Sequence, residues 1–499
     1  MKIFETINIR EADKITISNQ GITYYELMER AAHEAFLWIK KHFPDKETTF
    51  HVFCGRGNNG GDGLVISRYL HLDGYPVKLD IVSEAGQPTP EFETALQQLI
   101  DSGIKDNAGE DYPYEKGKLI YVDALFGIGL NRNLPQTVID AIKKINHCDG
   151  HVISIDVPSG LFMDKETDIA VESDYVLTFQ FPKLAFYLPG NKKFINRIAI
   201  LDIGLDAEFI NNTPSPYFLI DRIEISHRYR PVAPNAHKGT QGHALIIGGS
   251  YGKIGAVCLS AKAALKSGCG LVTAYIPECG YTVMQSYFPE AMALTDGREH
   301  ITAINFELKP KAVGLGPGMG QHPETQQAVK GFLERYDGPM VIDADALNIL
   351  SQNKDWLSLL PEHTILTPHP GELERLMGGW ENDFDKISKM IAFTKQYNVV
   401  LVAKDAHTMV IYGDVVYINS TGNAALATGG TGDCLTGILT GLLAQGYNAI
   451  DAALFGVYLH GFTADIAISE TSIQAFTASD ILQYLGKAYL KIDADCSQK

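Results

Sequence analysis

At 499 residues the chain exceeds what a single hydrophobic core serves, so two domains are the default. A 45% hydrophobic and 20% charged content is ordinary for a soluble globular protein, and a net charge of −17 argues against nucleic acid or an anionic membrane as main partner. No apolar run reaches the roughly 18–20 residues of a membrane-crossing helix, and Met1–Glu5 lacks a signal-peptide core. Seven cysteines without a C-x-x-C pair read as reduced thiols, not a disulfide framework or zinc site, so a cytoplasmic protein is expected.

Glu5–Ile17 and Tyr24–His42 carry helical apolar spacing, the second through Leu27, Met28, Ala31, Ala32, Ala35 and Phe36. Short apolar runs then alternate with helical stretches: Phe50–Cys54, Val77–Val82, Leu119–Val122, Val152–Ile155, Tyr175–Phe179 and Ile198–Leu201. That alternation predicts a mostly parallel sheet with helices on both faces, a first domain over residues 1–210. Ligands of such sheets bind at the carboxyl ends of strands, where Asp123, Asp156 and Asp202 fall. Residues 206–236 are rich in Pro and Asn, show no sustained helical period, and read as a connection. A second α/β domain is expected over 225–495. Its strand runs are Leu271–Ile276, Ala312–Leu315, Met340–Ile342, Thr364–Leu366 and Val399–Val402, and its end is helical.

Each domain holds a glycine-aspartate loop between a strand pattern and a helix pattern. The first is Asn58-Asn59-Gly60-Gly61-Asp62-Gly63; the second is Thr428-Gly429-Gly430-Thr431-Gly432-Asp433. Glycines admit a ligand close to the backbone, and a helix N-terminus aims N–H groups at anions. Near the first loop, Gly127–Arg132 offers amides and a guanidinium suited to phosphate. Asp123 and Asn59 offer hard oxygens suited to an alkali or alkaline-earth ion, and Asp156 is free to act as a general base. Glycine stretches and strand-end acids are also common furniture of α/β folds. Three such clusters in one domain favour a site.

In the second domain, Asp433 stands in the first helical turn, where a carboxylate is electrostatically comfortable, and can take a proton from a hydroxyl beside a bound phosphate. Lys404 can meet nucleotide phosphates. His369 alone reads as a satisfied loop histidine, Cys434 as packing, and Asp343 and Asp345 as helix caps.

These residues also carry a family resemblance. Ile9–Asp13, Leu27–Ala32, the Asn58–Gly63 loop, Val122–Leu130 and Asp156–Gly160 resemble the NAD(P)H-hydrate epimerase domain, in order, over residues 1–205. The resemblance implies that Asn58, Asn59, Gly60, Gly61 and Asp62 bind the hydrated dinucleotide together with Gly127, Ile128, Gly129, Leu130, Asn131, Arg132 and Asn133. It puts Asp156 at the reacting ring and a potassium ion on Asn59, Asp123 and Ser159.

The segments Gly249–Ala256, Gly314–Gly320, Asp343–Asn348, Thr367–Glu372 and Asn423–Asp433 are similar to the ADP-dependent NAD(P)H-hydrate dehydratase domain, which is ribokinase-like. This implies that Ala256, Gly318, His369 and Asp433 contact the hydrated dinucleotide. Lys404, Asp405, Ala406, His407, Thr408 and Gly432 would contact the nucleotide, with magnesium travelling on its phosphates. Asp405 departs from the family's K-G-x-x-T pattern, which bears on affinity and on ADP versus ATP.

The expectation is therefore a Rossmann-like three-layer sandwich followed by a ribokinase-like one, repairing hydrated NADH and NADPH (NADHX and NADPHX) with ADP as co-substrate. A homo-oligomer follows by family analogy. The alternatives are a ribokinase-like small-molecule kinase with an accessory dinucleotide-binding domain, and a non-catalytic dinucleotide-binding protein.

Overall fold

The computed structural model describes residues 1–82, 85, 87–104 and 118–496. Two compact units emerge, residues 2–215 with 382–384, and residues 216–381 with 385–499 and Met1. Both are α/β. Among the described residues no helix is long and apolar enough to cross a membrane. Six cysteines are free thiols, while the Cys496 side chain lies outside the described residues.

In the first unit, the Tyr24–His42 helix starts at a capping box formed by Thr23 and Glu26. It buries the stripe Leu27, Met28, Ala31, Ala32, Ala35, Phe36 and Ile39. Six strands follow: β1 (Thr49–Cys54), β2 (Val77–Ile81), β3 (Leu119–Ala124), β4 (His151–Ile155), β5 (Ser173–Phe179) and β6 (Ile195–Leu201). They form a parallel sheet in the order β2-β1-β3-β4-β5-β6. Every residue of β1 is buried, as expected for a central parallel strand covered on both faces. Because β2 lies on one side of β1 and β3 on the other, the order reverses between β1 and β3. The segments leaving those strands border a crevice there.

The second unit contains β7 (Tyr217–Ile220), β8 (His243–Ile247), β9 (Leu271–Ile276), β10 (Met292–Thr295), β11 (Ala312–Leu315), β12 (Met340–Ile342), β13 (Ile365–Leu366), β14 (Val400–Ala403), β15 (Met409–Tyr412) and β16 (Val415–Asn419). Their order is β7-β16-β15-β14-β13-β12-β11-β8-β9-β10, with only β15 antiparallel to its neighbours. The reversal here falls between β8 and β11, where Gly249 N donates to Pro317 O at 2.8 Å. The Thr431–Ala444 helix is buried from Cys434 onward and packs on the Ile254–Lys266 helix. A Cβ on Gly437 would stand 2.1 Å from Ser260 O, so only glycine allows this approach.

Residues 206–236 are more ordered than their composition suggests. They hold helices Ala207–Asn212 and Arg222–Arg228, each capped by an Asp side chain, and β7, which pairs with β16. Elements this short leave no periodicity to read.

Candidate active sites

In the first unit a cavity of about 580 Å³ opens at the β1/β3 reversal. Asn58, Asn59, Asp62, Gly127, Ile128, Gly129, Leu130 and Asp156 line it, so the structure brings together most of the expected residues. Asn131, Arg132 and Asn133 are exposed and do not line it; the cations at the cavity are Arg10 and Lys14 of the Thr6–Gln20 helix.

The Asn58–Gly63 segment is not a loop. It forms the opening turns of the Asn58–Leu72 helix, with Gly57 as N-cap. Its glycines serve close packing. A Cβ on Gly60 would lie 2.0 Å from Gly55 O, one on Gly61 2.6 Å from Met28 Cε, and one on Gly63 2.6 Å from Ala124 Cβ. They let the helix start press onto β1 and β3, which leaves Asn59 and Asp62 turned to the cavity. Gly127 has a different role: an added Cβ would sit 3.1 Å from Asp156 Oδ2 and 3.4 Å from Asn59 Oδ1, so its bareness keeps that space open.

Asp156 is not the free carboxylate expected. It adopts φ +62°, a strained conformation for a non-glycine residue. Its Oδ1 accepts from Lys183 Nζ at 2.7 Å, Thr178 Oγ1 at 3.3 Å and Phe179 N at 3.4 Å. Lys183 is itself buried and also donates to Thr178 Oγ1. Sequence reading missed Lys183, although it follows β5 as the flagged acids follow their strands. It also gave Asp13 no role. Asp13 lines the cavity, and burial, then the nearby Asp156, push its pKa to about 6. Asp62 is driven well above the carboxylate range by burial, then by Asp156 and Asp13.

Asp123 lies within β3 rather than beyond its end, and is fully buried. Ser159 Oγ donates to its Oδ1 at 2.5 Å; Ser159 N and Ser154 Oγ donate to Oδ2 at 2.8 and 2.7 Å. Burial still raises its pKa against these bonds. The Asn59 side-chain amide is also buried, and neither its oxygen nor its nitrogen has a hydrogen-bond partner. An orphaned amide of this kind points to a ligand.

In the second unit the functional side chains gather where β11, β12, β13 and β14 end. Asp343 caps no backbone with its side chain; instead it reaches across the strand ends. Its Oδ1 accepts from Lys404 Nζ at 2.8 Å and its Oδ2 from Thr436 Oγ1 at 2.7 Å. Ala344 beside it adopts φ +53°. A Cβ on Gly432 would lie 3.4 Å from Lys404 Nζ, so Gly432 leaves the ammonium open at the N-terminus of the Thr431–Ala444 helix. Asp345 holds a neighbouring loop through Gly320 N at 2.9 Å.

Asp433 stands in the first turn of that helix, as expected, but not as a comfortable carboxylate. Burial, then Asp343, push its pKa to about 7, against the lowering by Lys404. The helix N-terminus does not offset the loss of water. His369 caps the Pro370–Met377 helix: its Nδ1 accepts from Gly371 N at 3.1 Å, while Glu372 accepts from its own N at 2.9 Å. Gly318, at φ +62°, would bring a Cβ 2.6 Å from Lys253 O and 3.0 Å from Ala256 Cβ, so the Gly318 loop and Ala256 are in contact range. The Asp405 carboxylate does not stand unopposed. Lys386 Nζ lies 3.5 Å from its Oδ2, and its Oδ1 accepts from Ala406 N at 2.8 Å. Thr408 Oγ1 donates to Asp405 O at 3.5 Å, and His407 is half-buried in the same turn.

Comparison with known proteins divides the chain in the same way. Residues 24–185 match the family model of the YjeF-related protein N-terminus, and residues 244–487 match that of NAD(P)H-hydrate dehydratase. The chain is 32% identical to the bifunctional NAD(P)H-hydrate repair enzyme Nnr of Moorella thermoacetica over 97% of this chain and 96% of that one. It is 33% identical to the enzyme of the same name from Coxiella burnetii, over 97% and 98%. Among solved structures, an ADP/ATP-dependent NAD(P)H-hydrate dehydratase from Bacillus subtilis, co-crystallised with ATP/Mg2+, has a TM-score of 0.49 and 29% identity, covering 55% of this chain and 98% of that one. The chain belongs to the family of bifunctional NAD(P)H-hydrate repair enzymes, which join an epimerase (isomerase) and an ADP-dependent dehydratase (lyase) in one polypeptide.

Proposed function

We propose that the two sites act in sequence on hydrated NADH or NADPH, the cavity of the first unit exchanging the R and S epimers and the second unit dehydrating the S form with ADP. The observation that carries this reading is the Asp343–Lys404–Gly432 arrangement beside Asp433. Lys404, kept oriented by Asp343, would meet nucleotide phosphate. Asp433, poised near neutral pH, would accept the proton of the C6 hydroxyl as its oxygen attacks the ADP terminal phosphorus. AMP departs. The phosphate ester then eliminates inorganic phosphate as the C5 proton is lost, which restores the dihydronicotinamide ring. Ala256, Gly318 and His369 would border the dinucleotide, and Asp405, Ala406, His407 and Thr408 the nucleotide. Magnesium would accompany the nucleotide and supply positive charge at its phosphates.

In the first unit, Asn58, Asp62 and Gly127–Leu130 would hold the dinucleotide, and Asp156, braced by Lys183, would move a proton at C6. The residues present suit a potassium ion: Asn59 carries an unpartnered buried amide oxygen, and the buried Asp123 and Ser159 add hard oxygens. Such an ion would supply fixed positive charge beside the dinucleotide. We further propose a cytoplasmic location, in keeping with the free thiols, and, by family analogy, a homo-oligomer.

The test is a mixed-epimer NADH-hydrate sample given to the full chain with magnesium and ADP or ATP, following dihydronicotinamide absorbance. Recovery of all the NADH is expected, since dehydration alone stalls at the R fraction. A plateau at the S fraction refutes the epimerase assignment. No recovery with either nucleotide refutes the dehydratase assignment and favours a phosphate-retaining kinase.

A further inference from the structure

We propose that Asp13 is a second proton-transfer group of the epimerase, working with Asp156 from a different element of the cavity. This rests on the reading of that cavity as the epimerase site. Inverting C6 of the hydrated ring has two proton requirements. The departing hydroxyl must gain a proton, and the incoming water must lose one. Two carboxyl groups on separate elements, one holding a proton and one ionised, meet both without the ring turning over.

Among the described residues three carboxyl groups line the cavity, and their surroundings set them apart. Asp156 Oδ1 is engaged by the Lys183 ammonium, a hydroxyl and a backbone N–H, while its Oδ2 borders the space left open by Gly127. Asp13 projects from the Thr6–Gln20 helix, and among the described residues no hydrogen bond acts on its carboxyl. Burial and the neighbouring Asp156 hold its pKa at about 6, so it gives and regains a proton near neutrality. Asp62, on the Asn58–Leu72 helix, is raised well above the ordinary carboxylate value by burial, then by Asp156 and Asp13. The remaining charges facing the group are Lys183 after β5 and, on its own helix, Arg10 and Lys14.

The step balances without a further reactant. Asp13 gives its proton to the C6 hydroxyl; the C6–O bond breaks as the ring-nitrogen lone pair closes a C=N bond, and water leaves. A water on the other face then bonds C6 through oxygen, the C=N pair returns to nitrogen, and Asp156 takes the water's proton. Solvent exchange restores the starting protonation, and the reverse reaction exchanges the two roles.

The experiment follows R-to-S exchange of purified R-epimer NADH hydrate by chromatography, without ADP, on the full chain and its Asp13→Asn, Asp13→Glu and Asp156→Asn variants. Asp13→Asn, which matches the protonated acid in shape, is expected to lower kcat at least about 100-fold with KM within about threefold. It should keep its melting temperature and its ADP-dependent dehydration of the S epimer, and Asp13→Glu should recover part of the rate. The wild-type fall of kcat/KM as pH rises through about 6 should disappear in Asp13→Asn. Near-wild-type exchange by Asp13→Asn with Asp156→Asn inactive overturns the role of Asp13 and leaves the site standing. Near-wild-type exchange by both variants removes the epimerase from this cavity. A raised KM at unchanged kcat overturns the proposal by making Asp13 a binding residue.

Discussion

Asp433→Asn should disable dehydration and stabilise the protein, because the two effects share one cause. In the folded chain the Asp433 carboxyl titrates at about 7, against an ordinary value of 3.8, through burial and then Asp343. A carboxyl whose pKa is raised on folding binds its proton more tightly in the native state. It costs nothing below the unfolded pKa, and its penalty grows as pH rises from there to the folded value. With the carboxyl moved from 3.8 to about 7, proton linkage gives a penalty of roughly 0.6 kcal/mol at pH 4 and roughly 4 kcal/mol at pH 7. Asparagine cannot ionise, so the variant should melt higher than wild type at pH 7–8, and the two curves should converge towards pH 4. Its dehydratase kcat should fall by about 10²–10⁴, equivalent to roughly 3–5 kcal/mol of barrier. Wild-type kcat should rise with pH and level above about 7, as a base must be ionised to act. Differential scanning fluorimetry across pH and the S-epimer dehydration assay read the two effects. A variant that dehydrates within about tenfold of wild type, or one that melts lower than wild type at pH 8, refutes the reasoning.

Replacing Lys404 with Gln removes the ammonium 2.8 Å from Asp343 and should raise KM for ADP at least about tenfold while sparing epimerisation. Because Lys404 lowers the Asp433 pKa, the same variant should move the rise of the kcat–pH profile to higher pH. Asn59→Leu removes the unpartnered amide and should abolish any stimulation of epimerisation by potassium over sodium, read as initial rates in each salt; retained potassium dependence excludes Asn59 as a ligand. Gly60→Ala forces a methyl to within 2.0 Å of Gly55 O and should cost about 2 kcal/mol or more, seen as a lowered melting temperature of the first unit.

Much of this architecture was legible in the chain because the signals are local. Strand runs such as Leu271–Ile276 and Ala312–Leu315 are continuous apolar stretches, and the structure keeps them unchanged. The Asp156 and Asp433 segments stood out because several glycine and acid clusters coincide at strand ends and helix starts of one domain, each common by itself. What glycine was doing was not legible. Gly60, Gly61 and Gly63 look like ligand-binding residues in sequence, yet their missing side chains accommodate Gly55, Met28 and Ala124, neighbours known only after folding.

Pairing and protonation were decided by tertiary structure alone. Lys183 meets Asp156 because the parallel order sets β5 beside β4. Asp343 reads as a cap from its neighbours, but it gathers Lys404 from 61 residues away and Thr436 from 93. The Asp433 helix position is written in the sequence and predicts an easy carboxylate; its pKa of about 7 comes from burial and from Asp343, neither of which has a local signature. The sequence by itself determined which residue types stand at which strand and helix ends, since backbone propensity and hydrophobic pattern act over a few residues. The tertiary structure decided which of them share a cavity and which keep their protons, because desolvation and Coulomb interaction depend on distance in space.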